Sequence, residues 1–414
     1  MGARERSLAA FRSAPFRRFQ TARLLGVLGM QMMVVAIGWQ VYDLSHSTFD
    51  LGLVGGAQFL PLLLTWPFAG VVADRFDRRR VALAAWSAFL LCELLLFAAT
   101  WTGQISVGTI LGVSLLLGTA RSFSAAAGPA LLPMVVPEED FPSAAAWSST
   151  AFSVGVIVGP ALGGIAYAWA GDATGAYGLA IVLHVAAVVA LWTVVPLRSG
   201  PPAARSQNWQ DALAGLRIVW QHPILFGAIS LDLFAVFLGG AVALLPVYAR
   251  DVFHLGPEGL GLLRASPAVG ATAMAVWLSG YPPQRRIGWW LYATVGVFGL
   301  ATIAFGLTTD LVSACICLVA VGASDQISVW IRQNVVQLAT PDAYRGRVSA
   351  VEYVFIGASN ELGEFESGML ASAVSPVWAV VGGGLGTLAV VGASAVATPH
   401  LRKLDRLDDL RGTP

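Results

Sequence analysis

Twelve long apolar runs, each of roughly 21 to 27 residues and separated by short polar connections, follow one another along the chain. A helix needs about 20 apolar residues to cross a bilayer, whereas a barrel strand needs only about 10. Backbone groups in lipid must also find their hydrogen-bond partners within the protein. The pattern therefore predicts an all-α membrane protein with twelve transmembrane helices. The predicted spans cover residues 19–43, 51–73, 81–101, 105–127, 144–170, 175–197, 223–249, 258–280, 288–308, 311–334, 350–373 and 376–398.

The runs form two sets of six that share a register. Gly118 aligns with Gly322 at an offset of 204 residues, and the same offset pairs Gly164 with Gly368. Two halves that begin on the same side of a membrane form a parallel repeat about an axis along the membrane normal. We therefore expect two pseudo-symmetric six-helix bundles. The predicted organisation is an N-terminal cytoplasmic segment (1–18), a first bundle (19–197), a cytoplasmic linker (198–222), a second bundle (223–398) and a cytoplasmic tail (399–414).

The predicted linker contains an amphipathic pattern of its own. Apolar residues recur on one helical stripe at Trp209, Leu213, Leu216 and Trp220. Such a stripe on a short polar segment is typical of a helix that lies on the membrane surface.

Composition supports the membrane assignment. Hydrophobic residues make up 56% of the chain, charged residues only 12%, and the mean hydropathy is +0.70. A soluble protein carries about 25% charged residues. Because the spans use most of the chain, a large soluble domain is excluded as well.

Basic residues collect on every second connection, as in the groups Arg78–Arg80 and Arg285–Arg286. Cytoplasmic loops of membrane proteins carry the excess of Lys and Arg. This bias predicts a multi-pass protein of the plasma (inner) membrane with both termini in the cytoplasm. The clusters are small and adjoin spans, so nucleic-acid binding is not expected.

The chain lacks the usual motifs of enzymes. Its only lysine is Lys403, which excludes a Walker loop, and it contains neither HExxH nor GxSxG. Cys92, Cys315 and Cys317 all lie inside apolar runs, so they predict packing rather than a disulfide or a zinc site. We expect no enzyme activity, no cofactor and no metal. We expect the protein to be a monomer. Its expected partners are a small-molecule substrate, protons and the lipid bilayer.

The connection after the second span has an acid followed by a basic cluster. Gly70 is followed by Asp74, Arg75, Arg78 and Arg79. The spacing Gly-x-x-x-Asp-Arg with a basic cluster resembles the loop signature of the major facilitator superfamily, whose members are twelve-helix secondary transporters. The resemblance implies a cytoplasmic gate at these residues, and a plain positive-inside anchor is the alternative. The family usually has Gly at the position of Asp77.

The fifth span contains a run of small residues around a proline. Glycines four apart allow close helix approach, and Pro160 removes one backbone hydrogen bond. The run resembles the helix 5 motif of proton-coupled drug antiporters in the superfamily, although a role in packing alone is the alternative. Its members are Gly155, Gly159, Pro160, Gly163 and Gly164.

The eleventh span carries an acidic cluster. Glu361 and Glu364, next to Asn360, share one helical face, whereas Glu366 projects elsewhere. Carboxylates in a span are costly and usually face a polar cavity or carry protons. They therefore predict a proton-coupling site, with a structural ion pair as the alternative.

This segment and residues 39–55 resemble the enterobactin exporter-like group of bacterial efflux proteins. The resemblance implies proton-coupled efflux of a small amphiphilic molecule, such as a siderophore or drug, by alternating access. An importer or uniporter on the same fold is the alternative. Further polar residues inside spans either line a central cavity or simply pair with one another: Gln31, Gln40, Glu93, Arg121, Asp232, Asp325 and Arg332. Arg121 and Asp325, at matched positions of the two halves, are candidates for a pair.

Overall fold

The computed structural model describes residues 9–197, 216–341 and 344–410. Most of those residues are helical, with no strand among them. The long helices are α1 (Ala14–Ser45), α2 (Thr48–Arg75), α3 (Arg78–Trp101), α4 (Val107–Leu131), α5 (Phe141–Ala170), α6 (Ala173–Trp192), α7 (Pro223–Leu238), α8 (Pro257–Gly280), α9 (Ile287–Gly306), α10 (Leu311–Ala339), α11 (Arg345–Ala373) and α12 (Pro376–Ala397). Twelve long helices lie at the positions of the twelve predicted spans, although most extend a few residues beyond the apolar core.

Among the described residues, 11 helices are long and apolar enough to cross a membrane. Helix α11 is the long helix missing from that set, because four glutamates and two arginines interrupt its apolar sequence. The long helix that is too polar for this set is therefore the one in which the sequence predicts the acidic site.

The seventh predicted span differs from a single helix. Helix α7 ends at Leu238, and the chain continues through Gly239 and Gly240 into a 3-10 turn. A short α-turn and a π-helical segment, Tyr248–Val252, complete the span. Paired glycines weaken a helix, and Pro246 lacks an N–H donor, so the backbone leaves the regular pattern here. Hydropathy does not detect such a break.

Several helices begin at a polar residue that caps the free N–H groups of the first turn. Ser106 accepts a hydrogen bond from Thr109 N at 3.2 Å, and Asp310 accepts one from Ser313 N at 2.9 Å. The first N–H groups of a helix have no partner within the helix, and such side chains supply one. The caps define where the apolar helices start.

Much of the helix surface that faces outward is apolar. Val276, Leu300 and Val312 are all more than half exposed. Every long helix exposes at least one large hydrophobic side chain, and such a surface is unfavourable in water and suited to lipid. The inner faces, by contrast, form apolar cores such as the one around Leu225, Ile331 and Val335.

Contacts between residues divide the chain into two compact units. Unit 1 comprises Met1–His46, Ala57–Gln207 and Gly256–Ala265, and unit 2 comprises Ser47–Gly56, Asn208–Leu255 and Ser266–Pro414. The start of α2 therefore belongs to unit 2, and the start of α8 belongs to unit 1. The predicted domain boundaries stay a prediction, and most of the predicted amphipathic linker lies outside the described residues.

The internal repeat is visible in matched glycine contacts. Gly118 of α4 packs directly against the carbonyl oxygen of Gln58 in α2. Gly322 of α10 packs in the same way against the carbonyl oxygen of Pro267 in α8. Neither site has room for a Cβ atom. The two sets of helices thus repeat the same close approach, as the shared register predicts.

Candidate functional site

The acidic cluster of α11 lies against the start of α2, inside unit 2. A Cβ atom placed on Gly55 would lie 2.9 Å from the Cβ of Glu364 and 3.0 Å from the carbonyl oxygen of Glu361. On Gly52 it would lie 2.9 Å from the carbonyl oxygen of Phe365. Glu361 is buried and Glu364 is half-buried. The glycines of α2 therefore allow its backbone to approach the helix turn that carries both acids.

Two neighbours of the acids have local partners. The amide Nδ2 of Asn360 donates to the carbonyl oxygen of Ile356 at 2.9 Å, and its side chain is exposed. Ser367 Oγ donates to Glu366 Oε2 at 3.4 Å. Residues 51–55 and 360–366, which carry the resemblance to exporters, thus come together in space.

The small-residue run of α5 packs on two sides within unit 1. A Cβ on Gly159 would lie 2.7 Å from Gln31 Cβ, and one on Gly163 would lie 2.8 Å from Met32 Cα, both in α1. Gly155 also has no room for a Cβ atom, because Val27 occupies that space. The run therefore permits close contact between α5 and α1.

A second face of the same run meets the start of α8. Gly164 packs directly against the carbonyl oxygen of Pro257. A Cβ on Gly261 would lie 2.5 Å from the carbonyl oxygen of Pro160. The contact of α5 with the start of α8 thus corresponds to the contact of α11 with the start of α2.

The basic loop after α2 is tied to unit 1. Arg78 Nη1 donates to the carbonyl oxygen of Ala130 at 3.4 Å, and Arg79 Nη2 donates to that of Trp192. Asp77 has a φ of −55° and accepts a hydrogen bond from the N–H of Arg79, so it caps α3. No glycine is needed at this turn.

The remaining predicted gate residues stay predictions. Gly70 lies within α2 and Arg75 is its exposed last residue. The side chain of Asp74 lies outside the described part of the structure, so an ion pair with the basic cluster remains untested.

Two predicted cavity residues have partners inside unit 1. Gln40 of α1 is buried; it accepts a hydrogen bond from Tyr177 OH at 2.9 Å and donates to Thr100 Oγ1 at 3.0 Å. Arg121 Nη1 donates to Gln58 Oε1 at 2.9 Å. Asp325 is half-buried in unit 2, and its pairing with Arg121 stays a prediction.

Sequence reasoning missed a buried ionic triad in unit 2. Arg332 of α10 forms ion pairs with Asp232 of α7 and with Glu352 of α11; the Nε to Oε1 distance of the second is 3.1 Å. The sequence identifies Asp232 and Arg332 as residues that line a cavity or pair, but it does not pair them with each other and does not single out Glu352. An arginine within a span needs a carboxylate partner, which is the signal that points to such a cluster.

A second buried pair lies in unit 1. His184 Nδ1 of α6 and Glu93 Oε1 of α3 are 2.6 Å apart, and both side chains are almost completely buried. A lone histidine inside a span is more often a hydrogen-bonded core residue than a proton relay, and the sequence alone does not identify Glu93 as its partner.

Comparison with known proteins places these features in a family. Residues 5–411 match the family model described as transmembrane secretion effector. The enterobactin exporter EntS of Escherichia coli O1:K1 is 27% identical over 384 residues, which cover 91% of this chain and 89% of that protein. EntS of Shigella boydii serotype 18 has the same identity and coverage.

Solved transporter structures share the fold. A bacterial homologue of the human lysosomal transporter Spinster has a TM-score of 0.69 and 14% identity, with 96% of this chain and 98% of that chain covered. A POT family transporter has a TM-score of 0.71 and 10% identity, with 94% and 97% covered. The twelve-helix fold, the resemblance to exporters and the absence of an enzyme role are thereby confirmed. The chain is a multi-pass membrane transporter, and it belongs to the transmembrane secretion effector family of the major facilitator superfamily.

Proposed function

We propose that the protein exports a small amphiphilic molecule, such as a siderophore or a drug, from the cytoplasm in exchange for protons. The proposal extends the similarity to enterobactin exporters, which cover most of the chain. The observation that carries it is the position of Glu361 and Glu364. These carboxylates lie in α11, at its contact with the start of α2. The protein then resides in the inner membrane of a bacterium with both termini in the cytoplasm.

The two carboxylates supply the proton site in this mechanism. A protonated pair is neutral and is stable in an apolar surrounding, whereas a deprotonated pair attracts a cationic or hydrogen-bonding substrate. Alternating access exposes the pair first to one side of the membrane and then to the other. Asn360, Asp325, Arg121, Asp232 and Gln40 are the further proposed polar contributors.

The cytoplasmic gate is proposed at the loop after α2. Arg78 and Arg79 bind carbonyl groups at the ends of α4 and α6, and Asp74 supplies a negative charge next to them in sequence. The small-residue run of α5 provides a rigid contact with α1 that moves as one body.

Reconstituted liposomes with an acidic interior test the coupling, with ethidium and enterobactin as the two probes. Proton efflux from the liposomes should drive at least one probe inward against its gradient. Glu361→Gln and Glu364→Gln should each reduce this driven flux at least tenfold. Glu366→Gln, on the same helix, is the matched control and should retain it.

Two results would contradict the proposal. Flux that is indifferent to the pH gradient in the unmodified protein would exclude proton coupling. Accumulation of a probe inside cells that express the protein, relative to cells that lack it, would favour the importer or uniporter instead.

A further inference from the structure

The triad of Asp232, Arg332 and Glu352 brings together three helices of unit 2. Arg332 contacts a carboxylate from α7 on one side and a carboxylate from α11 on the other. Glu352 precedes Glu361 by nine residues, which is about 14 Å along a helix with a rise of 1.5 Å per residue. The triad is therefore a separate place on α11 from the acidic cluster near α2.

The surroundings of the triad are apolar. The side chain of Arg332 is 2% exposed, and each of its carboxylate partners is 10% exposed. Their sequence neighbours Leu231 and Ile331 belong to the apolar core of unit 2. Charges in such a core interact strongly, and an uncompensated charge is costly.

The charges within the triad do not balance. One guanidinium faces two carboxylates, so a fully ionised triad would bury one net negative charge. The packed helices α9 and α12 contain no Asp, Glu, Lys, Arg or His. On α10 the other Asp, Glu, Lys, Arg or His residue is Asp325, whose carboxylate does not compensate the excess.

Basic groups near these helices lie toward their ends. On α11 they are in its first turn, at Arg345 and Arg347, before Glu352 in sequence. His400 and Arg402 lie on the short helix Pro399–Arg402, which meets α7 near Gly227 rather than near Asp232. Among the described residues, Asp232 and Glu352 each form their ion pair with Arg332, and a bound proton would supply the missing positive charge.

We propose that the triad binds one proton, on either Asp232 or Glu352, and that this proton is taken up and released during transport. Arg332 is a positioning residue that forms an ion pair with each carboxylate. Only the second half of the proposal rests on the proposed function, because a bound proton can be detected without a substrate. Two carboxylates that share a site commonly share a proton.

Infrared spectroscopy of the full-length protein in lipid nanodiscs detects protonated carboxyl groups through their C=O stretch. At neutral pH, Glu352→Gln and Asp232→Asn should each lose one such signal of equal size. Either substitution leaves one carboxylate beside Arg332. That carboxylate is ionised because its charge is balanced by the guanidinium, so the protonated signal is lost whichever residue carries the proton in the unmodified protein. A signal lost in only one variant, or in neither, would overturn the proposal.

Two further variants control the measurement. Arg332→Lys retains the charge and should keep the carboxyl signal, and its loss there would also overturn the proposal. Asp310→Asn is the negative control: hydrogen bonds from Ser313 lower the pKa of this exposed carboxyl, so it is ionised at neutral pH and contributes no signal.

A flux measurement separates the triad from the function that we propose. In the liposome assay with ethidium, Glu352→Gln should lose pH-driven flux at least tenfold, and retained flux would show that the triad proton takes no part in transport. If the unmodified protein shows no pH-driven flux, the proposed function fails, while the infrared result still decides whether the triad binds a proton.

Discussion

Helices α5 and α11 occupy corresponding places in the two halves, but they differ in chemistry. Each receives the start of another helix through a glycine: Gly164 contacts the start of α8, and Gly368 contacts Gly52 at the start of α2. In α5 the residues beside that contact are glycine and proline, whereas in α11 they include Glu361 and Glu364. Close packing is therefore repeated in both helices, and of the two only α11 carries charged residues. Packing does not require the acids, which supports a functional role for them.

The largest effect on stability is expected at the triad of Asp232, Arg332 and Glu352. Arg332→Gln leaves two buried carboxylates without their cation, and breaking a buried pair costs about 3 to 5 kcal/mol. We expect a large loss of thermal stability in detergent. Size-exclusion chromatography after heating measures this loss. Addition of Asp232→Asn and Glu352→Gln to the same chain should recover most of the loss. An unchanged unfolding midpoint for Arg332→Gln would contradict the role of Arg332 in holding the charges.

The Glu93–His184 pair tests whether the first half depends on its own buried polar contact. His184→Leu leaves Glu93 buried and unsatisfied, which costs about 1 to 3 kcal/mol. The double variant with Glu93→Leu should be more stable than the single one, because both polar groups are removed together. Thermal unfolding of the three proteins measures this coupling, and additive losses would show that the two side chains act independently.

The glycine contacts should be equally important in both halves. Gly164→Ala and Gly368→Ala each place a Cβ against backbone atoms, and overpacking of this kind costs about 1 to 3 kcal/mol. Gly128→Ala is the matched control, since a Cβ there meets no atom within 4 Å. Expression and thermal stability report the effect. Sensitivity in one half alone would refute the structural equivalence of the two contacts.

The smallest expected effect is pH dependence at the start of α7. His222 Nδ1 accepts a hydrogen bond from Leu225 N at 3.4 Å, and partial burial lowers the pKa of this histidine from its usual value. Between the folded and unfolded pKa values the unfolded state binds more protons, so stability rises with pH in that window. The contribution is complete above pH of about 6.5 and is lost as pH falls through the folded pKa.

His222→Asn supplies a cap that does not titrate near neutral pH. We expect the stability of this variant to change less between pH 7 and pH 5 than that of the unmodified protein, by under about 1 kcal/mol. Unfolding midpoints over this pH range provide the measurement, and parallel curves for the two proteins would exclude His222 as a source of the dependence.

The helices could be predicted because each span is a continuous apolar run in the sequence. Apolar length alone located all twelve long helices of the described chain. It did not locate the break after Leu238, since Gly239, Gly240 and Pro246 lie in an apolar run and alter the backbone without altering hydropathy.

The candidate site was predictable only in part, for the same reason. Glu361 and Glu364 stand out in sequence because an acid within an apolar span is unusual wherever it occurs. The partners of buried charges cannot be identified from the sequence, because each pair joins residues of two different helices. Glu352 of α11 pairs with Arg332 of α10, and Glu93 of α3 pairs with His184 of α6.

The sequence by itself determined the membrane class, the number of spans, their grouping into two halves and the presence of acids in α11. Each of these depends on the composition of one continuous segment. Only the tertiary structure decided which glycine faces which backbone, and which carboxylate faces Arg332. Those contacts depend on neighbours that are distant along the chain, and no local pattern records which helices pack together.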